Sequence, residues 1–177
     1  MSALEMFTHL SDSLYVNGAY RKSMASDGFA VVDPATEAVI AHIADATDAE
    51  VDELIEQANS VQRQWSRVNM LTRAENLHTV ATNIRCMQAE LAEAMTREMG
   101  KPYKESADEV LWCATAIDYY AETARTNQGR VMGPSVDGQL HFTLKEPLGV
   151  VASIQPFNYP LCLLAWQAAA ALATGNA

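Results

Sequence analysis

The stretch Glu146-Pro147-Leu148-Gly149-Val150-Val151-Ala152-Ser153-Ile154-Gln155-Pro156-Phe157-Asn158-Tyr159-Pro160 decides how this chain is read. Residues 149–154 form a nearly continuous apolar run of strand length, the pattern of a strand covered on both faces of a sheet. Two prolines then bracket Phe157-Asn158-Tyr159. Proline fixes its own φ and restricts the residue before it, so this loop has little backbone freedom. Residues 161–173 are rich in alanine and predict a helix that Gly175 stops. Strand, sharp loop and helix open a βαβ unit. In open α/β sheets ligands bind beyond the carboxyl ends of strands, and 155–159 lies at such an end.

Asn158 admits two roles there. A primary amide donates without carrying charge, so it can stabilise an oxyanion that develops on a carbonyl without holding a tightly paired anion beforehand. Asparagine is also a favoured N-cap, and a helix follows directly. Local sequence leaves both readings open.

Working back from the loop, 131–144 reads as an extended hairpin: Gly133-Pro134 and Asp137-Gly138 signal turns, and Leu140, Phe142 and Leu144 alternate onto one apolar face. Such a ribbon is marginal alone, so burial against another element or subunit is its expected source of stability. Before it the period is helical. Thr47-Asp48-Ala49-Glu50 is a capping box followed by Val51, Leu54, Ile55, Ala58, Val61 and Trp65, a stripe expected to pack on a core. Thr72-Arg73-Ala74-Glu75 repeats the box before Leu77, Val80, Ala81, Ile84 and Met87, and the pattern resumes through Leu91, Ala94 and Met95 until Gly100 and Pro102 end it. That span exceeds a typical helix and predicts a break within 87–90. Ser106-Ala107-Asp108-Glu109 is a third box, ahead of Val110, Cys113, Ile117 and Tyr120. At the start, Asn17-Gly18 between Val16 and Ala19 predicts a two-residue hairpin turn, and Asp33-Pro34-Ala35-Thr36 a second turn between strands at 29–32 and 39–43.

The chain has 177 residues, 49% hydrophobic and 19% charged, enough for a packed core. Its net charge of −10, from 12 Lys and Arg against 22 Asp and Glu, repels nucleic-acid phosphates and anionic membrane faces. No apolar run spans a bilayer, and residues 1–20 lack the basic and apolar regions of a signal peptide, so a cytoplasmic protein is expected. Cys86, Cys113 and Cys162 are odd in number and far apart, expected as buried small hydrophobes rather than disulfide or metal partners. His9, His42, His78 and His141 show no ligand spacing, and no metal site is expected.

Glu146-Pro147-Leu148-Gly149-Val150-Val151, Pro156-Phe157-Asn158-Tyr159-Pro160-Leu161, Ala165-Trp166 and Ala171-Leu172-Ala173-Thr174-Gly175-Asn176 together resemble the aldehyde dehydrogenase superfamily of NAD(P)-dependent oxidoreductases. Asp33-Pro34-Ala35-Thr36-Glu37, Gly100-Lys101-Pro102-Tyr103 and Tyr119-Tyr120-Ala121 extend the resemblance over most of the chain. It implies an α/β fold: the N-terminal part of such an enzyme, with a β-hairpin prelude, a helical layer, an oligomerisation hairpin at 129–147, and the first strand-loop-helix of a Rossmann-like nucleotide-binding domain formed by 1–128 and 148–177.

The resemblance also implies roles. Asn158 matches the asparagine whose amide holds the oxyanion formed when a cysteine thiolate attacks the aldehyde. Ile154, Gln155, Pro156 and Phe157 match the wall along NAD or NADP, with Phe157 standing where many members have tryptophan. Tyr159 and Trp166 match aromatic positions of the substrate tunnel, although each could equally be core packing. The nucleophilic cysteine and glutamate base match nothing in these residues, so the catalytic domain is expected outside them, the chain alone is expected to be inactive, and a complete enzyme is expected to be a homodimer or homotetramer. The alternative is a stand-alone, non-catalytic scaffold or interaction protein.

Overall fold

The computed structural model describes residues 10–126 and 128–177. His9, and the signal-peptide reading as it concerns residues 1–9, lie outside the described residues. Strands β1 (Ser13–Val16) and β2 (Ala19–Lys22) pair antiparallel with Val16 opposite Ala19. Asn17 and Gly18 turn between them at φ 51° and 79°, the left-handed pair that matches the twist of the strands. Strands β3 (Gly28–Val32) and β4 (Val39–Ala44) form a second antiparallel pair with an irregularity between Val31 and Val32. Asp33 makes the turn: its side chain accepts from the Ala35 amide at 2.8 Å and its carbonyl from Glu37 at 2.8 Å.

Four helices follow, α1 (Asp48–Trp65), α2 (Met70–Cys86), α3 (Gln88–Met99) and α4 (Tyr103–Arg125). The break falls at Met87, inside the expected window. Gly100 ends α3 at φ 76°, and a Cβ on it would lie 2.8 Å from the Pro34 ring, so glycine is needed both for the conformation and for the approach of the β3–β4 turn. Helix α5 (Pro160–Ala173) completes the set. Its packing with α2 and α4 makes the core, lined by Ala74, Leu77, Ala81, Cys113, Ala114, Ile117, Ala121, Ala165 and Ala169. Alanine on the facing surfaces lets these helices approach closely, and Leu77 and Ile117 fill what remains; truncating either to Ala is worth about 2–5 kcal/mol.

Several expectations are corrected. Helix α2 begins at Met70 rather than Thr72, because Asn69 lies in extended backbone and its side chain accepts from the Thr72 amide at 2.9 Å. Helix α4 begins at Tyr103, which puts Ser106 and Glu109 inside it, fully buried. The apolar stripe of α1 is not packed: Val51, Leu54, Ile55 and Val61 are about half exposed, and the buried residues of α1 are Glu50 and Gln62. Cys86 is exposed at the end of α2, unlike Cys113 and Cys162.

Beyond α4, β5 (Val131–Met132) and β6 (His141–Phe142) pair over only two residues each, and Val131, Leu140, Phe142 and Leu144 face outward. Residues 149–154 are extended but form no strand. Their one link of sheet type joins Val151 N–H to Ala177 O at 2.7 Å and Ala177 N–H to Gly149 O at 3.0 Å. This is the hydrogen-bond pattern of a parallel pair on either side of α5, and one such link makes no ladder. Among the described residues no helix is long and apolar enough to cross a membrane.

Candidate functional site

The site is the loop 154–159 and the start of α5. Helix α5 has no side-chain cap of its own. The amides of Leu161 and Cys162 instead donate to Oε1 of Glu109, at 3.0 Å each. A buried carboxylate at a helix N-terminus satisfies two orphan donors and opposes the positive end of the macrodipole. The other oxygen, Oε2, takes Lys101 Nζ at 2.5 Å. Lys101 also donates to the carbonyl of Asn158 at 3.0 Å and lies 3.4 Å from the centre of the Tyr159 ring, a cation–π contact.

Asn158 is therefore held by its backbone. Its side-chain amide makes no hydrogen bond among the described residues and stands exposed to solvent. Of its two possible roles, helix capping is not realised: Glu109 has taken it.

Tyr159 is half-buried and stacks on Trp112, ring centres 6.2 Å apart at 25°. Trp166 shares an open apolar depression of about 520 Å³ with Trp112, Tyr119 and Tyr120. The two expected tunnel aromatics thus meet at Trp112. Ile154 and Phe157 project outward, 89% and 83% exposed, with Pro156 exposed between them. Gln155 folds back onto Ser153, which donates to Gln167 at 2.9 Å, and its Oε1 is buried without a partner.

The far end of α5 is held as firmly. Gly175 and Asn176 amides close back on Leu172 and Ala171 at 3.1 and 2.9 Å, satisfying the last carbonyls. Trp65 Nε1 donates to Leu172 O at 2.9 Å, Arg73 Nε to Ala173 O at 3.1 Å and Gln62 Nε2 to Gly175 O at 3.0 Å. Asn176 Oδ1 accepts from Gly149 N–H at 3.0 Å, so the start of the strand-like segment and the end of the helix are tied together at the side away from the loop.

The thiols near the site are buried and held protonated. Burial pushes Cys113 up to about 12 and raises Cys162, so both stay protonated at neutral pH. Sequence reasoning missed Lys101 and Glu109 as site residues. The available signal was position: Glu109 adjoins Ser106, Val110 and Cys113 on the core-facing stripe of α4, where a carboxylate needs a partner.

The sequence profile described as the aldehyde dehydrogenase family matches residues 20–177. The chain belongs to that family. An aldehyde dehydrogenase from Brucella melitensis biovar abortus 2308 superposes with a TM-score of 0.93 at 30% identity, over 99% of this chain and 36% of that one. Lactaldehyde dehydrogenase from Escherichia coli gives 0.90 at 32% identity, over 94% and 35%. Betaine aldehyde dehydrogenase from Staphylococcus aureus, in complex with NAD+, gives 0.93 at 28% identity, over 99% and 35%. The architecture is thus the N-terminal region of the aldehyde dehydrogenase fold, and the chain spans about a third of the length of these structures.

Proposed function

We propose that these residues are the N-terminal part of an NAD(P)-dependent enzyme that oxidises an aldehyde to a carboxylic acid, and that Asn158 is its oxyanion donor. The carrying observation is the free amide of Asn158 on a backbone fixed by Lys101, with the capping role already filled by Glu109. A cysteine thiolate supplied from outside these residues attacks the aldehyde carbon, and the negative charge that moves to the aldehyde oxygen accepts from the Asn158 side chain. A preorganised, uncharged donor lowers that barrier because it needs no reorganisation as charge develops. Collapse of that oxyanion to a thioester requires loss of a hydride, which a bound NAD(P)+ would accept, and water then hydrolyses the thioester to the carboxylic acid and the free thiol.

Ile154, Gln155, Pro156 and Phe157 fit one wall of a nicotinamide nucleotide site. Ile154 and Phe157 offer apolar surface, and the unpartnered Oε1 of Gln155 is an acceptor awaiting a donor. A bound nicotinamide cofactor supplies the hydride acceptor; these residues orient it and exclude water. Tyr159 and Trp166 border the substrate passage. The chain by itself is inactive on this reading, since its two buried cysteines are held as thiols and Cys86 lies exposed at the end of α2.

Asn158→Ala in a complete enzyme carrying this chain should lower kcat about 10²–10³-fold with cofactor affinity unchanged. Asn158→Asp places a negative charge where the oxyanion forms and should be slower still at an unchanged melting temperature. An active Asp variant sinks the assignment.

The exposed apolar face of 131–144 forms a contact between subunits of the homo-oligomer. Replacing Leu140 and Phe142 together by Lys should lower the mass of the complete enzyme in light scattering; an unchanged mass rules this contact out.

A further inference from the structure

Lys101 and Glu109 form a buried ion pair that the chemistry above does not use, with side chains 6% and 0% exposed. Taking an ion pair out of water costs more than its attraction returns unless the remaining protons and lone pairs are also satisfied. Here the satisfaction converges on one short segment. Glu109 takes the amides of Leu161 and Cys162, and Lys101 takes the carbonyl of Asn158 and the face of Tyr159. Pro160, in the middle, has no amide to satisfy. A pair that served only to join α4 to the turn at Gly100 would leave those lone pairs and protons to water or to its own helix.

We propose that Lys101 and Glu109 are positioning residues for Asn158. The pair sets the Asn158 peptide and the first turn of α5, and by occupying the helix amides it leaves the Asn158 side chain available to a substrate. Leu161 lies three residues beyond Asn158, the spacing between an N-cap side chain and the amide it accepts from. Tyr159 occupies the N-cap position of α5 and Asn158 stands one residue before it, so without the Glu109 carboxylate the Asn158 side chain would have to turn back onto the helix to take that amide. Only the catalytic consequence rests on the oxyanion reading of Asn158; the holding of residues 158–162 does not.

The test is amide hydrogen exchange on the ¹⁵N-labelled chain, with Leu161 and Cys162 read against Ala169 in mid-helix. In Glu109→Ala, exchange at Cys162 should rise about 10- to 100-fold relative to Ala169, the equivalent of one charge-assisted hydrogen bond. Leu161 should stay protected in that variant and lose protection only in Glu109→Ala/Asn158→Ala, because Asn158 has taken over its amide. Glu109→Gln keeps the shape and one acceptor should the Ala variant not fold; it should retain protection at Cys162 while the Asn158 carbonyl ¹³C shift moves, since Lys101 has lost its countercharge. In a complete enzyme Glu109→Gln should lower kcat by about 10²-fold, as misplacement of a reacting group does, with KM for the cofactor unchanged. Unchanged exchange at Cys162 in folded Glu109→Ala overturns the proposal, whatever Asn158 does. Exchange as expected, with full activity in Asn158→Ala, keeps the holding role and removes the oxyanion reading instead.

Discussion

Thr47 to Glu50 and Ser106 to Glu109 carry the same pattern, a hydroxyl residue followed three places on by glutamate, and the two glutamates are employed differently. Glu50 closes its own box: its amide donates to Thr47 Oγ1 at 3.2 Å, and Thr47 N–H donates back to Glu50 Oε2 at 2.9 Å. It also accepts from Met24 N–H at 2.9 Å and Ser23 Oγ at 3.2 Å, pinning the β-hairpin prelude to α1. Glu109 has no helix start to cap, because α4 has already begun at Tyr103. Its carboxylate therefore leaves its own helix and caps α5 from outside. A capping pattern specifies a contact only where the backbone in front of it is free to be extended; inside a helix the same residues are side chains looking for partners elsewhere.

Breaking the Glu109 side of this comparison should have the larger effect. Glu109→Ala strands Lys101 as a buried, unpaired charge, and removing one partner of a buried pair costs about 3–5 kcal/mol, to be read in urea unfolding. A loss under about 1 kcal/mol would show that water reaches the pair.

On the Glu50 side the effect should appear as pH dependence. The Thr47 amide first, and then the Met24 amide, hold Glu50 down at about 2, below the roughly 4.3 of an unfolded glutamate. Its folded pKa is depressed, so its contribution is complete above the unfolded value and is lost as pH falls toward 2. Glu50→Gln should flatten the fall of the thermal midpoint over that acid range, and a curve identical to the wild type would refute it.

The smallest effect sharpens the rule at α2, where Thr72 to Glu75 is the same pattern again, one turn too late. Asn69→Ala removes the cap that is used and should cost about 1 kcal/mol. Thr72→Ala removes one that is not, and should stay within about 0.5 kcal/mol. Equal losses would restore Thr72 as the cap.

Much of the fold was legible because it is decided locally. The turn at Asn17-Gly18, the box at Thr47, the stop at Gly100 and the break at Met87 each depend on contacts within about four residues, and each stands where its residues indicate. The loop residues 154–159 stood out as a candidate site through the family motif they resemble, and the profile match over 20–177 shows the family. The unpacked stripe of α1 was not legible. Periodicity says that a face is apolar; it does not say that a partner stands opposite, and among the described residues Val51, Leu54, Ile55 and Val61 have little against them.

The sequence by itself determined the order and kind of most elements, that a constrained loop presents Asn158 between a strand-like segment and a helix, and that the chain is acidic, with a net charge of −10. Tertiary structure alone decided how Asn158 is left free. Lys101 and Glu109 lie 57 and 52 residues from the atoms they hold at Asn158 and Leu161, and no periodic or capping signal reaches across such a distance. The packing of α4 against α5 brings a buried carboxylate to a helix start that its own neighbouring residues leave uncapped, and this leaves the Asn158 side chain without a capping role.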